Sequence, residues 1–424
     1  MSEARQRLVL VSGGIPLGGS TTFLLNLAGE LVRRNVPVLV VSLEHSNPHA
    51  EDFHARGIPL HCEDERVKVF EDRLASALQA VRRFEPTAVV ACLGPSSYEM
   101  LRYLPAGILR LGMIQSDFPE NYPPFVPYVP FLDGMIAVSR QIERNLCSHP
   151  RFGTISTHCL PYGVAMPNSG CGSSCALTTT EPLRVLYLGR LSNPQKRVRL
   201  FPDVLEQLRK AAIPMEWTIA GDGPERAWLE ENMKGDANVR VRFVGALQYK
   251  EVPRILEQND VFLLMSDAEG LPISLLEAMA HGLVPVVSDL ASGVSEVTDA
   301  QCAMLVPTQK TAGYAEAIIW LSQHRLELSK MSAHAVEKVR NTNSVEAMTD
   351  RWIEVLDAQP KTTVTRWPNR LKVTAPLSHP NLLRFSPPIR WIRRRWRAWA
   401  ARRLSNQASR HHDADAGRTK EKND

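Results

Sequence analysis

The most informative segment of the chain is SDAEGLPISLLEAMAHGLVPVVSD, residues 266–289. It follows an apolar run at 261–265, opens with a polar loop and continues into a helical pattern. Pro272 is expected in the first turn of that helix, where its missing N–H needs no partner. A second apolar run at 284–287 predicts another strand. This order of strand, helix and strand indicates a βαβ unit in a parallel sheet.

The same alternation extends outward through both halves of the chain. In the first half the pattern predicts strands at 8–11, 36–42, 88–92, 108–115 and 134–138, with helices at 21–33, 74–84 and 140–146. In the second half it predicts further strands at 183–188, 217–220 and 241–244, with helices at 312–322 and 346–356. The fold class is therefore α/β, with mostly parallel sheets covered by helices on both faces.

A lapse of the pattern separates the two halves. Residues 161–182 are rich in Gly, Ser, Thr and Pro and poor in large apolar side chains, which is typical of a linker. The predicted organisation is a first domain at 1–165, a linker at 166–182, a second domain at 183–345, a C-terminal helix at 346–358, a Pro-containing linker at 359–388, a basic helix at 389–404 and a polar tail at 405–424.

Charge and cysteine content exclude several classes of protein. The net charge of +5 is uneven, because residues 384–424 carry 12 basic and 4 acidic side chains, or +8, which leaves −3 for the rest. A basic nucleic-acid-binding body is therefore not expected. The seven cysteines are scattered, which argues against a disulfide framework. Cys171 and Cys175 lack a second ligand pair nearby, so neither a metal site nor a cofactor is predicted.

Targeting signals are also not expected. The sequence has no run of 18 apolar residues, and residues 1–7 lack the apolar stretch of a secretory signal. We therefore expect a cytoplasmic protein.

Charged side chains gather in two loops of the second half. Glu269 precedes the helix of the opening segment and Glu277 lies eight positions further on, so the two carboxylates could hold two different polyols. Arg190 and Lys196, in GRLSNPQK, follow a strand and are of the kind that neutralises a diphosphate. The alternatives are a helix-dipole role for Glu269, a solvated Glu277 and a solvated pair of cations.

Gly223 belongs to a third loop, IAGDGP at residues 219–224. Glycines at this position let a nucleotide approach the backbone, although a plain left-handed turn would use the same residues.

The ordered series of these motifs resembles the C-terminal domain of the retaining glycosyltransferases of family 4, which have the two-domain GT-B fold. The matching pieces are GRL with Lys196, AGDGP, FVGAL at 243–247 and EGLPISLLEAMA at 269–280. The resemblance covers roughly residues 8–357. It implies two Rossmann-like βαβ domains that face a central cleft, the first for the acceptor and the second for a nucleotide sugar.

The resemblance also implies roles for single residues. Arg190 and Lys196 would bind the donor diphosphate, Glu277 the ribose hydroxyls and Glu269 the transferred sugar. The loop and helix start that follow Glu269 would lend their backbone to the donor; these residues are Gly270, Leu271 and Pro272. The helix at 346–358 would return toward the first domain.

The first domain departs from the family pattern at one position. Gly18 and Gly19 resemble the family's Gly-Gly loop, which closes over the donor phosphates and the acceptor. Many members place a histidine near the reacting sugar, whereas this chain reads GMIQSD at 112–117. Gln115, Ser116 or Asp117 would occupy that place. Asp117 is the candidate catalytic contact because it follows a strand and can accept a hydrogen bond from an acceptor hydroxyl; a helix or turn cap is the alternative.

Residues 389–404, IRWIRRRWRAWAARRL, place Ile, Trp and Leu on one helical face and most arginines elsewhere. Such a helix suits an anionic membrane surface, which would make the protein peripheral on the inner face of the membrane. RNA binding, a partner helix and packing on the chain's own surface are the alternatives.

The sequence thus predicts a glycosyltransferase that moves a hexosyl unit from a nucleotide-diphosphate sugar to a glycan or lipid-linked acceptor without a metal ion. Two rivals remain: a nucleotide-sugar 2-epimerase of the same fold, and a catalytically silent module that kept the sugar site.

Overall fold

The computed structural model describes residues 6–44, 47–63, 66–67, 69–167, 181–193 and 195–358, together with 367, 373, 374 and 377. Most of the predicted linker at 166–182, with Cys171 and Cys175, lies outside the described residues. So do most of the stretch at 359–388 and all of the basic helix at 389–404 and the polar tail at 405–424.

The first half of the chain forms a parallel sheet with strand order β3-β2-β1-β4-β5-β6-β7. Its strands are β1 Leu8–Ser12, β2 Val38–Ser42, β3 Leu60–Cys62, β4 Ala88–Leu93, β5 Leu109–Ile114, β6 Gly134–Ala137 and β7 Ser156–Cys159. The order reverses between β1 and β4, so the crevice beyond the carboxyl ends of these two strands is where a ligand is expected. The loop of Gly18 leaves β1 at this point.

Helices cover this sheet between the strands: α1 Gly19–Arg33, α2 Ala50–Ala55, α3 Phe70–Phe84, α4 Gly94–Tyr98 and α5 Arg140–Ser148. Short 3₁₀ helices lie at Glu99–Tyr103, Pro119–Asn121, Pro123–Phe131 and Phe152–Thr154. The strands β1 and β4 are buried along nearly their whole length, as a parallel sheet covered on both faces requires.

The second half repeats the plan with strand order β10-β9-β8-β11-β12-β13, again parallel. Its strands are β8 Leu183–Leu188, β9 Met215–Ala220, β10 Val239–Gly245, β11 Val261–Leu264, β12 Val284–Ser288 and β13 Met304–Val306. Its helices are α6 Phe201–Lys210, α7 Arg226–Asn232, α8 Val252–Glu257, α9 Ile273–Ala280, α10 Gly293–Val297, α11 Thr311–Gln323 and α12 Arg325–Thr342, with 3₁₀ turns at Val198–Leu200 and Tyr249–Glu251. Here the switch point lies between β8 and β11. The α/β prediction of two Rossmann-like domains is confirmed.

The last described helix, α13 Val345–Ala358, packs against α1 of the first domain. The ring of Trp352 lies 6.0 Å from that of Phe23, and Arg34 pairs with Asp350 at 2.5 Å. Val164 forms a parallel bridge with Ser344 just before this helix. The chain therefore crosses from the second domain back onto the first.

Two of the differences from the sequence predictions concern helices of the second domain. Helix α9 begins at Ile273, so Pro272 is its N-cap residue and not part of the first turn. The backbone of Pro272 is extended, with ψ 117°, and its carbonyl accepts the first helical bonds from Leu275 and Leu276. Helix α12 was not predicted, because its buried positions include small and polar side chains such as Ser332 and Ala335. An apolar periodicity is weak in such a helix.

Among the described residues, the structure contains no helix with the length and apolar character needed to cross a membrane.

Candidate functional site

The predicted donor residues lie in the loops that follow β8 and β11, the two strands at the switch point of the second sheet. Arg190 and Lys196 lie in the loop after β8, and Glu269 lies in the loop after β11. Backbone and side-chain bonds join these loops: Asp267 N–H donates to the carbonyl of Gln195 at 2.9 Å, and Gln195 Nε2 donates to the carbonyl of Ala268 at 3.2 Å. The fold thus brings together residues about 73 positions apart.

Lys196 and Glu269 form a close ion pair. Lys196 Nζ lies 2.5 Å from Glu269 Oε1, and the side chains are only 13% and 7% exposed. The alternative of a solvated pair of cations does not describe Lys196, although Arg190 is exposed and its guanidinium donates to Gln195 Oε1 at 3.3 Å. At a switch point, a largely desolvated ion pair can separate when a ligand binds. The cation then pairs with a charged group of the ligand, and the carboxylate accepts hydrogen bonds from the ligand's hydroxyl groups.

Glu277 lies in α9, eight residues after Glu269 in the sequence. Burial raises the pKa of this carboxyl to about 8, because its surroundings disfavour the charged form. It keeps some exposed surface, so a polar ligand can reach it. The half-buried position does not fit the alternative of a solvated surface residue.

The two domains touch closely at Gly270, the residue after Glu269. A Cβ built on Gly270 would lie 2.3 Å from the carbonyl oxygen of Gln115 in the first domain and 3.3 Å from the side chain of Ile142. Glycine is therefore required here for the loop to approach the facing backbone. Leu271 and Pro272, which follow it, are buried.

The Gly-Gly loop of the first domain faces the start of α9. Gly18 and Gly19 are exposed at the N-terminal end of α1, and a Cβ on Gly19 would lie 3.6 Å from the side chain of Ile273. Ser20, the next residue, donates to Gln115 Oε1 at 2.8 Å. Two helix starts therefore meet across the cleft, an arrangement that suits an anionic ligand.

Gly223 has a structural explanation that needs no ligand. Its φ of +157° and the 2.2 Å separation of a built Cβ from the carbonyl oxygen of Leu191 leave room only for glycine. The Leu191 N–H donates to the carbonyl of Asp222 at 2.9 Å. The AGDGP loop thus packs directly on the GRL loop and supports the segment that carries Arg190 and Lys196.

Asp117 lies in the first domain, in the loop after β5. Its Oδ1 accepts hydrogen bonds from Asn145 Nδ2 at 2.6 Å and from Tyr122 Oη at 3.1 Å. Burial raises the pKa of Asp117, and these two hydrogen bonds and the nearby Arg144 partly oppose that shift. The carboxylate is partly exposed and held in a fixed orientation. Gln115, by contrast, donates to the carbonyl of Cys92 at 2.7 Å and accepts from Ser20, so it is engaged at the centre of the cleft.

Three residues that the sequence predictions missed connect the two domains. Tyr249 Oη donates to Asn26 Oδ1 at 2.8 Å, and Asn26 Nδ2 donates to the carbonyl of Gly163 at 3.0 Å. Glu296 in α10 accepts from two backbone amides at the start of α5. Each is a polar residue in an ordinary helix or turn, so the sequence alone offers no signal that its partner lies in the other domain.

Within the described ranges, no cluster of three or more His, Cys, Asp and Glu side chains could hold a metal ion.

Comparison with known proteins shows what this arrangement is similar to. Residues 182–324, which contain both switch-point loops and α9, match the family model described as Glycosyl transferases group 1. The second domain is thus similar to this family over residues 182–324, hereafter the group 1 domain. The matched residues include Arg190, Lys196, Glu269 and Glu277, so the motifs that carried the resemblance lie in the part of the chain that matches.

Relatives of the group 1 domain are glycosyltransferases by name. The amylovoran biosynthesis glycosyltransferase AmsK of Erwinia amylovora is 33% identical over 167 residues, which are 38% of this chain and 40% of AmsK. A GDP-mannose-dependent mannosyltransferase of Corynebacterium glutamicum is 25% identical over 236 residues, 52% of this chain and 60% of that protein. The matches thus span less than two thirds of these relatives.

Solved structures establish the fold outside the group 1 domain as well. Anabaena HepE in complex with UDP and glucose superposes with a TM-score of 0.67 at 17% identity, covering 84% of this chain and all of HepE. TarM superposes with a TM-score of 0.64 at 14% identity, covering 83% of this chain and 99% of TarM. Both are GT-B glycosyltransferases, and the predicted GT-B fold is thereby confirmed.

Proposed function

We propose that this chain transfers a hexosyl unit from a nucleoside-diphosphate sugar to a hydroxyl group of a glycan or lipid-linked acceptor, with retention at the anomeric carbon. The observation that carries the proposal is the desolvated Lys196–Glu269 pair at the switch point of the group 1 domain. A cation for a diphosphate and a carboxylate for sugar hydroxyls lie side by side there, where ligands bind in open α/β sheets.

The donor would lie along the loops after β8 and β11. Lys196 and Arg190 would hold the diphosphate, Glu269 the transferred sugar and Glu277 the ribose hydroxyls. The backbone of residues 270–272 and the Gly18–Gly19 loop would close on the phosphates from the two sides of the cleft, where the starts of α1 and α9 meet. Gly223 would serve this site by supporting the loop of Arg190.

The chemistry needs a stabilised leaving group and an acceptor hydroxyl. As the bond from the anomeric carbon to the phosphate oxygen breaks, negative charge grows on the diphosphate, and Lys196 and Arg190 stabilise it. The acceptor oxygen forms the new bond on the same face, and its proton passes to the departing diphosphate oxygen. Asp117, held by Asn145 and Tyr122, is the proposed first-domain contact for that hydroxyl. Retention rests on the family resemblance.

The names of similar proteins support this substrate class. AmsK belongs to amylovoran biosynthesis, the Corynebacterium relative uses GDP-mannose, and the HepE structure holds UDP and glucose. These names favour a UDP or GDP donor and a role in making a surface polysaccharide.

The test is a radiolabelled donor screen on the purified full chain. UDP-glucose, UDP-N-acetylglucosamine and GDP-mannose are each incubated with mixed lipid and oligosaccharide acceptors. Label is expected in an acceptor product from at least one donor. A labelled epimer without transfer would favour the epimerase, and binding of UDP or GDP without any product would favour the silent module; either result contradicts the proposal.

We further propose that the basic segment 389–404 places this site at the inner face of a membrane. Its seven arginines and its tryptophans are the sequence features of an interfacial anchor, which suits an enzyme with a lipid-linked acceptor.

A further inference from the structure

Glu296 of the second domain caps a helix of the first. Its carboxylate accepts from the backbone N–H of Arg140 at 3.0 Å and of Gln141 at 3.1 Å, the first two residues of α5. The N–H of Ile142 is capped within the domain by Ser139 Oγ at 3.3 Å. Two of the amides that a helix start leaves unpaired are thus satisfied only while the domains are closed on each other.

The short helix that carries Glu296 is tied to the proposed donor loop. Gly293, the first residue of α10, donates its N–H to the carbonyl of Gly270 at 2.7 Å. Gly270 in turn follows Glu269 and abuts the backbone of Gln115. A change in the position of the donor loop therefore moves α10, and with it the Glu296 carboxylate.

On the other side of this contact, α5 is linked to Asp117. Gln141 Nε2 donates to Asn145 Oδ1 at 3.1 Å, and Asn145 Nδ2 donates to Asp117 Oδ1 at 2.6 Å. A continuous series of polar contacts thus runs from the donor loop through Glu296, Gln141 and Asn145 to the proposed acceptor-side carboxylate.

We propose that Glu296 and Asn145 are positioning residues that orient Asp117 only when the domains are closed. The inference rests on the proposed function. Neither residue touches the donor or the reacting atoms. Glu296 fixes the start of α5, and Asn145, which lies on the same helix, orients Asp117 through its hydrogen bond. Acceptor chemistry is thereby coupled to closure, because an open cleft leaves the start of α5 without its cap and Asp117 less constrained.

A purely structural cap would not need the other domain. Glu143 lies in the first turn of α5 and pairs with Arg140 at 2.9 Å within the same helix. Carboxylates near a helix start are favourable wherever they come from. Glu143→Gln is therefore a matched control, since it removes a negative charge from the same helix start without touching the contact between domains.

The first arm of the test needs no substrate. In the ¹⁵N-labelled full chain, hydrogen exchange of the Arg140 and Gln141 amides and the resonance of the Asn145 side-chain amide are compared in wild type, Glu296→Ala and Glu143→Gln. Glu296→Ala should speed exchange of both amides at least tenfold and shift the Asn145 resonance. Glu143→Gln should do neither. Unchanged exchange or an unmoved resonance in Glu296→Ala would overturn the proposal, even if the chain transfers no sugar.

The second arm uses the donor that the wild-type enzyme accepts in the screen. Glu296→Ala and Asn145→Ala should lower kcat at least tenfold and leave the affinity for UDP or GDP within threefold of wild type. Burial raises the pKa of Asp117, and the hydrogen bonds from Tyr122 and Asn145 and the charge of Arg144 lower it. Loss of the Asn145 bond should therefore raise the pKa of Asp117 and move the acid limb of the kcat profile to higher pH. Glu296→Gln, which keeps an acceptor oxygen, should recover part of kcat.

If Glu296→Ala and Asn145→Ala lower kcat and nucleotide affinity equally, the two residues have a general structural role and the proposal is overturned. An acid limb that does not move in Asn145→Ala would overturn it as well. A wild-type chain with no turnover would contradict the proposed function alone, and the first arm would still decide whether closure orients α5 and Asn145.

Discussion

Lys196 and Glu269 neutralise each other, because Lys196 Nζ lies 2.5 Å from Glu269 Oε1 across the two switch-point loops. A diphosphate would give Lys196 a more highly charged partner, and Glu269 would then accept sugar hydroxyls. We expect Glu269→Ala and Lys196→Ala each to lower kcat by about 10²- to 10³-fold, the cost of losing one group that stabilises a developing charge. Steady-state kinetics on variants with wild-type circular dichroism would measure this.

Arg199→Ala is the matched control for that prediction. Arg199 lies three residues beyond Lys196 but is exposed and pairs with Glu225 at 2.7 Å. Its loss should leave kcat nearly unchanged, since exposed ion pairs contribute little. Wild-type turnover in the two site variants would remove both residues from the proposed site.

The raised pKa of Glu277 predicts how nucleotide affinity depends on pH. The pKa of its carboxyl is raised to about 8 by burial, so at pH 7 most empty sites hold a proton. Ribose hydroxyls favour the charged form, and binding should therefore release close to one proton. Affinity should be constant above pH 8 and fall up to tenfold per pH unit below it. Calorimetry with UDP and GDP in two buffers of different ionisation enthalpy measures both effects.

Glu277→Gln is the control for protons that the nucleotide itself gains or loses on binding, because the variant has no titrating carboxyl at this position. The variant should bind UDP and GDP more weakly than wild type above pH 8. It should also lack the proton release that Glu277 contributes when the nucleotide binds to wild type. The same proton release in wild type and variant would mean that Glu277 does not contact the bound nucleotide.

Single residues also show where sequence reasoning stops. Lys196 and Glu269 follow the two switch-point strands, so the rule that ligands bind at carboxyl ends of strands was enough to place them together. The partners of Glu296 and Asn26 lie in the other domain, and a pattern within one domain carries no information on how the two domains meet. The need for glycine at Gly223 likewise depends on the Leu191 backbone, which lies in a different loop.

At the level of elements, the loop between β11 and α9 must pass very close to the first domain. A Cβ on Gly270 would lie 2.3 Å from the Gln115 carbonyl oxygen, so Gly270→Ala should prevent full closure. We expect kcat to fall at least tenfold, while the melting temperature stays within a few degrees of wild type, because each domain keeps its own core. Enzyme kinetics and small-angle scattering would test this.

A second glycine gives the control for the loop variant. Gly29 lies in α1, and a Cβ there would meet its nearest neighbour, the Ile58 side chain, at 3.8 Å, an ordinary contact. Gly29→Ala should leave the radius of gyration and kcat unchanged. A Gly270→Ala chain as compact and as active as wild type would show that the loop can yield without cost.

Elements with strong patterns were predicted well and the others were not. The buried strands β1, β8 and β11 are short apolar runs between turns, and their positions follow from that pattern. Helix α12 buries Ser332 and Ala335 beside Leu328, so its packed face is not distinguished by hydrophobicity. The edge strands β3 and β13 have only three residues each, and tertiary pairing rather than local sequence defines them.

For the molecule as a whole, the contacts between the domains in the described part of the chain include specific polar links beside the apolar packing of α13 on α1. Tyr249 and Asn26 form one link, Glu296 and the start of α5 form another, and α13, which follows the second domain in the chain, packs on α1 of the first. Arg56 lies over the Tyr249 ring at 4.3 Å and adds to the first link. Polar links exchange readily with water, which is compatible with a cleft that opens for donor and acceptor.

The basic segment lies outside the described residues, but its sequence makes a prediction about where the whole molecule works. Residues 384–403 contain eight arginines and no acidic side chain, and polybasic segments gain about 1 kcal/mol per cation near an anionic leaflet. Insertion of Trp396 and Trp399 at the interface would add an apolar contribution. The full chain should therefore bind anionic vesicles, and this binding should weaken as salt is added.

Truncation after Pro388 separates anchoring from catalysis. The shortened chain should largely lose vesicle binding, because the cations and tryptophans go together, and should keep kcat on a soluble acceptor, because the proposed donor site lies entirely before residue 289. Vesicle co-sedimentation and kinetics on the same preparations measure the two properties. Vesicle binding equal to that of the full chain would show that the tail does not dock on membranes, and unfolding on truncation would show instead that the tail packs on the enzyme's own surface.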